Sequence, residues 1–185
     1  SKTPKQFTSS IYYYVDASIL ANAAKLLGKE KDYQKYSQLT ESIKEAINSR
    51  FFDPKTAIYG SGFQTELSTA LFWGIVPKDY TEKVALNLAK KVVSDNRHID
   101  VGLLGSKAIL NALSENGHPD LAYEVATQED FPSWGAWIKE GATTLFEDWK
   151  VNEERKGAMS RNHIMFGEIG AWFYKALGGI KPDPK

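Results

Sequence analysis

The feature that most constrains this chain is the spacing of its apolar residues, which recur every three or four positions through one segment after another. That period lines one face of a helix, whereas a half-buried strand alternates at every second position. Residues 9–27 carry Ile11, Val15, Ile19, Ala23 and Leu26 in this register, and Gly28 stands where a helix-ending glycine belongs. Residues 31–51 repeat it with Tyr33, Tyr36, Leu39, Ile43, Ile47 and Phe51 against a face of Lys, Gln and Glu, until Asp53 and Pro54 stop it. Residues 55–63, with Gly60 and Gly62, read as a loop.

Shorter helical patterns follow. One covers residues 65–73, closed by Gly74 and Pro77, and another covers 81–94 with Val84, Leu88 and Val92 on one stripe. A loop, DNRHIDVG, leads to a helix over 106–115, stopped by Asn116 and Gly117. Pro119 opens the next helix, which buries Leu121 and Val125. From 128 to 142 the periodicity disappears and FPSWGAWIKEG reads as an aromatic-rich loop. A last helix is predicted over 162–177, with Ile169, Trp172, Phe173 and Leu177, before Gly178, Gly179 and Pro182 end it. About seven helices and no run of strand-like alternation make the chain all-α. Helical hairpins laid side by side fit the alternation of helices with polar, aromatic junctions, as a solenoid or as a toroid.

Composition narrows the function classes. The 185 residues carry 23 Lys and Arg against 23 Asp and Glu, so no basic face is announced and nucleic acid is not the expected partner. With no cysteine there is neither a disulfide framework nor a thiolate metal site, and the three histidines are too dispersed for H-E-x-x-H spacing. The sequence carries no P-loop and no G-x-S-x-G elbow, and neither a cofactor nor a metal is expected. No apolar run approaches the roughly 20 residues of a membrane span, so no membrane partner is expected, while the compartment, cytoplasmic or exported, stays open. The KEKDYQK and NEERK runs read as solvated surface, and Asp16, inside an apolar segment, faces either a cavity or the solvent stripe.

The aromatic excess, five Trp, nine Tyr and nine Phe, is the informative departure. Residues 130–149 gather Trp134, Trp137, Phe146 and Trp149 among Glu140, Glu147 and Asp148. Flat rings that cover the C–H face of a pyranose, beside carboxylates for hydroxyl recognition or acid–base work, are what a sugar site needs. The same composition also suits a plug at the end of a helical bundle. Thr144 and Glu147 match the S/T-x-x-E capping box, which would leave Glu147 holding a helix N-terminus as an anion. His98 and Asp100 in RHIDVG, and Asn162 and His163 in SRNHIMFG, stand at loop-to-helix junctions, where side chains converge at one end of a helical array. A histidine there serves either as a structural hydrogen-bonder or in a site.

The order QTELSTALFWGIVP, HIDVGLLG, ALSENGHPDLAY, QEDFPSWGAWIKEGATTLFEDW and SRNHIMFGEIGAWFYKALGGI resembles the bacterial α-L-rhamnosidases of glycoside hydrolase family 78. The resemblance extends through the N-terminal helices and covers nearly the whole chain. It implies an (α/α)6 barrel and inverting hydrolysis of terminal α-L-rhamnosyl groups, in which one carboxylic acid protonates the leaving oxygen and a second carboxylate activates water. It implies that Glu147 is that base, that His163 contacts the sugar and that Trp134 is a pocket wall. Phe146 departs from the tryptophan the family usually carries before that glutamate. The family's acid segment, of the type D-C-P-x-R-E-K-L-G-W-T-G-D, occurs nowhere in these residues. Residues 1–185 are accordingly expected to form a single domain that is the second part of a six-hairpin barrel. The other half-barrel and flanking β-domains would lie elsewhere in a longer protein, and the isolated chain would be inactive. Another (α/α)6 glycosidase or lyase, and a helical-repeat module that binds glycan or peptide without catalysis, are the alternatives.

Overall fold

The computed structural model describes residues 2–150 and 159–182. Two helices of 22 residues each, α1 (Lys5–Leu26) and α2 (Glu30–Phe51), pack against each other as a hairpin. A two-residue ribbon, β1 (Phe52–Asp53) with β2 (Ile58–Tyr59), leads out of it. Then come α3 (Gln64–Phe72) and α4 (Thr81–Ser94), joined through a 3-10 turn at Lys78–Tyr80. Helices α5 (Leu103–Glu115) and α6 (Pro119–Ala126) form the third pair. A short α7 (Trp134–Lys139) and α8 (Glu168–Trp172) complete the described helices. The chain is all-α, as its periodicity predicts.

The helices form two rows. Helices α1, α3, α5 and α8 touch in succession, and α2, α4 and α6 back onto α1, α3 and α5 respectively. The sequence sets this order. Helix α3 is buried on every side, from Gln64 through Leu71, so it lies inside. Helix α4 buries only its Val84, Leu88 and Val92 stripe, with Ala85 and Ala89, and turns its lysines outward. Inner helices approach closely where Gly105 of α5 meets α3, since a Cβ there would stand 2.7 Å from Thr65 Oγ1 and from Val101 Cβ. Glu66 fixes the entry to α3, its Oε2 accepting the Ser61 N–H at 2.9 Å and the Phe63 N–H at 3.0 Å. Burial pushes this carboxyl above the usual glutamate range.

Several expectations are corrected. The 55–63 loop contains β2, and the 128–142 loop contains α7, started by the Ser133 hydroxyl, which accepts the Ala136 N–H at 2.9 Å. The predicted 162–177 helix is a 3-10 turn at Ile164–Phe166, then α8, then a π-type turn at Phe173–Leu177. On α1 the buried stripe is Phe7, Ile11, Val15, Ala17, Ala21 and Ala24, while Ile19 and Leu26 are exposed. Asp16 is on the solvent side, and so is the KEKDYQK run apart from half-buried Tyr33. The NEERK run lies outside the described residues. Among the described residues no helix is long and apolar enough to cross a membrane.

Candidate active site

The N-terminal ends of the three inner helices α1, α3 and α5 open on one side of the molecule, around a cavity of about 710 Å³. Its lining comes from all of them: Lys2 and Thr3 before α1, Phe63 and Thr65 at the start of α3, and residues 99–102 leading into α5. Phe131 and Pro132, preceding α7, and Asp148, Trp149 and Lys150 close the remaining wall. The volume is within the range of small-molecule sites. Helix N-termini carry partial positive charge and unpaired N–H groups, so this end favours carboxylates and hydroxyl oxygens. Asp100 and Asp148 are the carboxylates present. Lys2 Nζ donates to Asp100 Oδ2 at 2.6 Å, and this bond pushes the lysine above its ordinary value.

Trp149 is the indole of this cavity. Its Nε1 donates to Val101 O at 2.7 Å, tying the wall to the loop before α5. Behind it Trp137 stacks at 4.6 Å between centroids and 21° between planes, and Trp134 meets its edge at 5.1 Å and 89°. Trp134 and Trp137 are 6% and 2% exposed, and their indole N–H groups donate to Phe166 O and Trp149 O. These two rings lie under the cavity wall and border a second, apolar hollow of about 600 Å³ with Leu145, Ile169 and Phe173.

Glu147, Asn162 and His163 come together through the backbone. His163 N donates to Leu145 O at 2.8 Å, and Glu147 N donates to Ser160 O at 3.0 Å. The Thr144 hydroxyl donates to Arg161 O. Residues 144–147 therefore run beside 160–163, and Glu147 Oε2 accepts the Ser160 N–H at 2.8 Å. No helix among the described residues begins at Thr144, so the expected capping box is not formed. The carboxylate that was to cap a helix is instead anchored across a loop pair, with its side chain exposed. His163 keeps Nδ1 on the Met165 N–H at 3.4 Å, and the Asn162 side chain is exposed.

His98 stands one layer behind Asp100, and its ring is occupied. Nδ1 lies 2.8 Å from Asn96 O and Nε2 lies 2.8 Å from Asp130 Oδ1. The bond from His98 holds the Asp130 carboxyl below the usual aspartate range. The folded state thus binds this proton less tightly than the unfolded chain. The pair's contribution is present above the unfolded-state value of about 3.9 and is lost as pH falls through the lower folded value. Asp130→Asn is expected to lower the melting temperature slightly at neutral pH, because Asp130 is solvent-exposed. That gap should narrow as the pH falls below the unfolded-state value of about 3.9. A gap of constant size from pH 7 to acid would assign Asp130 to packing instead.

Residues beyond the expected substrate-binding set also shape the cavity. Lys2 lies in a segment without periodicity, and Trp149 was one of several tryptophans with no feature to set it apart from Trp134 and Trp137.

Residues 1–177 match the family described as the bacterial alpha-L-rhamnosidase 6 hairpin glycosidase domain. An alpha-L-rhamnosidase of Formosa agariphila is 29% identical over 97% of this chain, and one of Streptomyces avermitilis is 30% identical over 98%. The chain spans about a fifth of the length of these relatives, 20% and 18% respectively. Among solved structures, the alpha-L-rhamnosidase from Dictyoglumus thermophilum is 38% identical with a TM-score of 0.81, matching 89% of this chain and 19% of its own. The Streptomyces avermitilis alpha-L-rhamnosidase complexed with L-rhamnose is 29% identical with a TM-score of 0.89, over 97% of this chain and 18% of its own.

Proposed function

The chain belongs to the bacterial α-L-rhamnosidase six-hairpin glycosidase family, and from that premise we propose that it forms part of an inverting glycosidase that removes terminal α-L-rhamnosyl groups. The observation that carries this reading is the cavity at the inner-helix N-termini, where an indole face, Trp149, stands beside two carboxylates, Asp100 and Asp148. A pyranose lays its C–H face on the ring while its hydroxyls donate to the carboxylates. Trp134 and Trp137 support the wall from behind. Glu147 is the general base, held by the Ser160 N–H through one oxygen and free to take a proton from water with the other. His163 and Asn162, on the paired strand of chain, contact the sugar, and His98 steadies the loop that carries Asp100.

In this reading exposed apolar residues of the helical array pack against the remaining hairpins of the barrel, among them Ile138, Ile164 and Ile180, and Leu26 and Leu27 where α1 turns into α2. The acid that protonates the leaving oxygen belongs to that remainder. In the full-length protein, proton NMR of an aryl α-L-rhamnoside digest should show β-L-rhamnose as the first product. First-formed α-L-rhamnose would overturn inversion, and saturable rhamnose binding without turnover would make the protein a binding module.

Inverting hydrolysis needs its two carboxyl groups about 6.5–9.5 Å apart, on opposite sides of the scissile bond. The 185-residue chain alone is therefore expected to release no rhamnose from an unactivated rhamnoside. Turnover by the chain alone that disappears in Glu147→Gln would mean that Asp100 or Asp148 serves as the acid here.

A further inference from the structure

Gln64 is a fully buried carboxamide at the first position of α3, between the cavity-lining residues Phe63 and Thr65, and its side-chain hydrogen bonds all go to residues 95–100. Its Nε2 donates to Asp95 Oδ2 at 2.8 Å and to His98 O at 3.0 Å, and its Oε1 accepts the Asp100 N–H at 2.9 Å. The far oxygen of Asp95 is held by Lys91 Nζ at 2.5 Å, so the carboxylate cannot turn away. Next in the chain, Val101 O accepts the Trp149 indole N–H. One side chain thus fixes the loop that presents Asp100 to the cavity and that orients the Trp149 ring.

We propose that Gln64 is a positioning residue for sugar binding, acting through Asp100 and Trp149 and touching no substrate itself. The inference rests on the cavity being the rhamnose site. Helix α3 needs none of these bonds for its own stability. Gln64 occupies the first helical turn, where its backbone N–H has no intrahelical partner, and Glu66 already holds the entry. A neutral amide is the one group of this size that offers two donors to Asp95 and His98 and an acceptor to Asp100 at once. Leucine or methionine would fill the space and leave three half-buried polar groups without this partner.

The test uses the full-length protein, free L-rhamnose as the probe, and hydrogen–deuterium exchange read by mass spectrometry over residues 95–102. Gln64→Met should speed exchange in that peptide and weaken rhamnose binding, each by about tenfold, with exchange in α4 and α6 unchanged. Gln64→Glu sets two carboxylates against each other and should do the same. Adding Asp95→Asn to Gln64→Glu restores a donor facing an acceptor at position 95 while His98 O stays unmet, so binding should recover a few-fold over Gln64→Glu alone, on the order of what one hydrogen bond contributes. A merely space-filling role would show no such rescue. Should Gln64→Met fail to fold, the double variant carrying Gln64→Glu with Asp95→Asn still decides. Rhamnose binding that Asp100→Asn weakens but Gln64→Met leaves intact overturns the role of Gln64 and spares the cavity. So does a double variant no better than Gln64→Glu alone. Absent rhamnose binding, or binding indifferent to Asp100→Asn, removes the cavity from the sugar site and takes the role of Gln64 with it.

Discussion

Turnover of an α-L-rhamnoside is expected to fall by roughly 10²–10⁴-fold when Glu147 is replaced by glutamine in the full-length protein, the loss typical of a missing general base. The substitution separates chemistry from structure because of how Glu147 is held. One carboxylate oxygen accepts the Ser160 N–H at 2.8 Å, and the Glu147 backbone N–H donates to Ser160 O at 3.0 Å. A glutamine carbonyl oxygen accepts the same bond, so the pairing of 144–147 with 160–163 survives. What glutamine lacks is the second anionic oxygen that takes the proton from water. The melting temperature should stay within about 1 °C of wild type, as for a surface substitution that touches no packing. Turnover near wild type together with a lowered melting temperature would leave Glu147 a structural anchor only. His163→Ala should raise the Michaelis constant, since the histidine is proposed to contact the sugar. An unchanged constant and rate would remove it from the site.

How much of this was legible in the sequence depended on length. Helices α2, α4 and α5 run for 22, 14 and 13 residues, long enough for the apolar stripe to repeat three or more times. Helix α7 has six residues, less than two turns, and is specified by the Ser133 hydroxyl rather than by periodicity. The capping-box motif at Thr144 misled for a related reason. Its polar residues make their hydrogen bonds to Ser160 and Arg161, across a segment that no local rule pairs with them. The site divided in the same way. Asp100 and Trp149 belong to a cavity built from contacts between residues as far apart as Lys2 and Asp100, which local spacing does not report. Burial, which decides whether a tryptophan is wall or core, is a property of the packed array and separates Trp149 from its two neighbours only there.

That separation gives the largest stability effect. Trp137→Ala is expected to destabilise the protein by about 3–5 kcal/mol, the range for removing a buried large aromatic. Trp137 is 2% exposed, stacks on Trp149, and meets Phe166 edge-on at 5.5 Å. Its Nε1–H donates to Trp149 O at 3.2 Å, so truncation leaves that carbonyl without this donor and opens a void behind Trp149. Trp137→Phe keeps much of the ring contact and loses the N–H, and should cost about 1–2 kcal/mol. Denaturant unfolding separates the two substitutions, and rhamnose binding measured well below the melting transition isolates the wall effect. Under the proposed function, Trp149→Ala should weaken rhamnose binding more than Trp137→Phe does, because Trp149 alone of these rings lines the cavity with Asp100. If Trp137→Ala instead left stability untouched and abolished binding, Trp137 would be the ring that meets the sugar, and the wall assigned here to Trp149 would have to be given up.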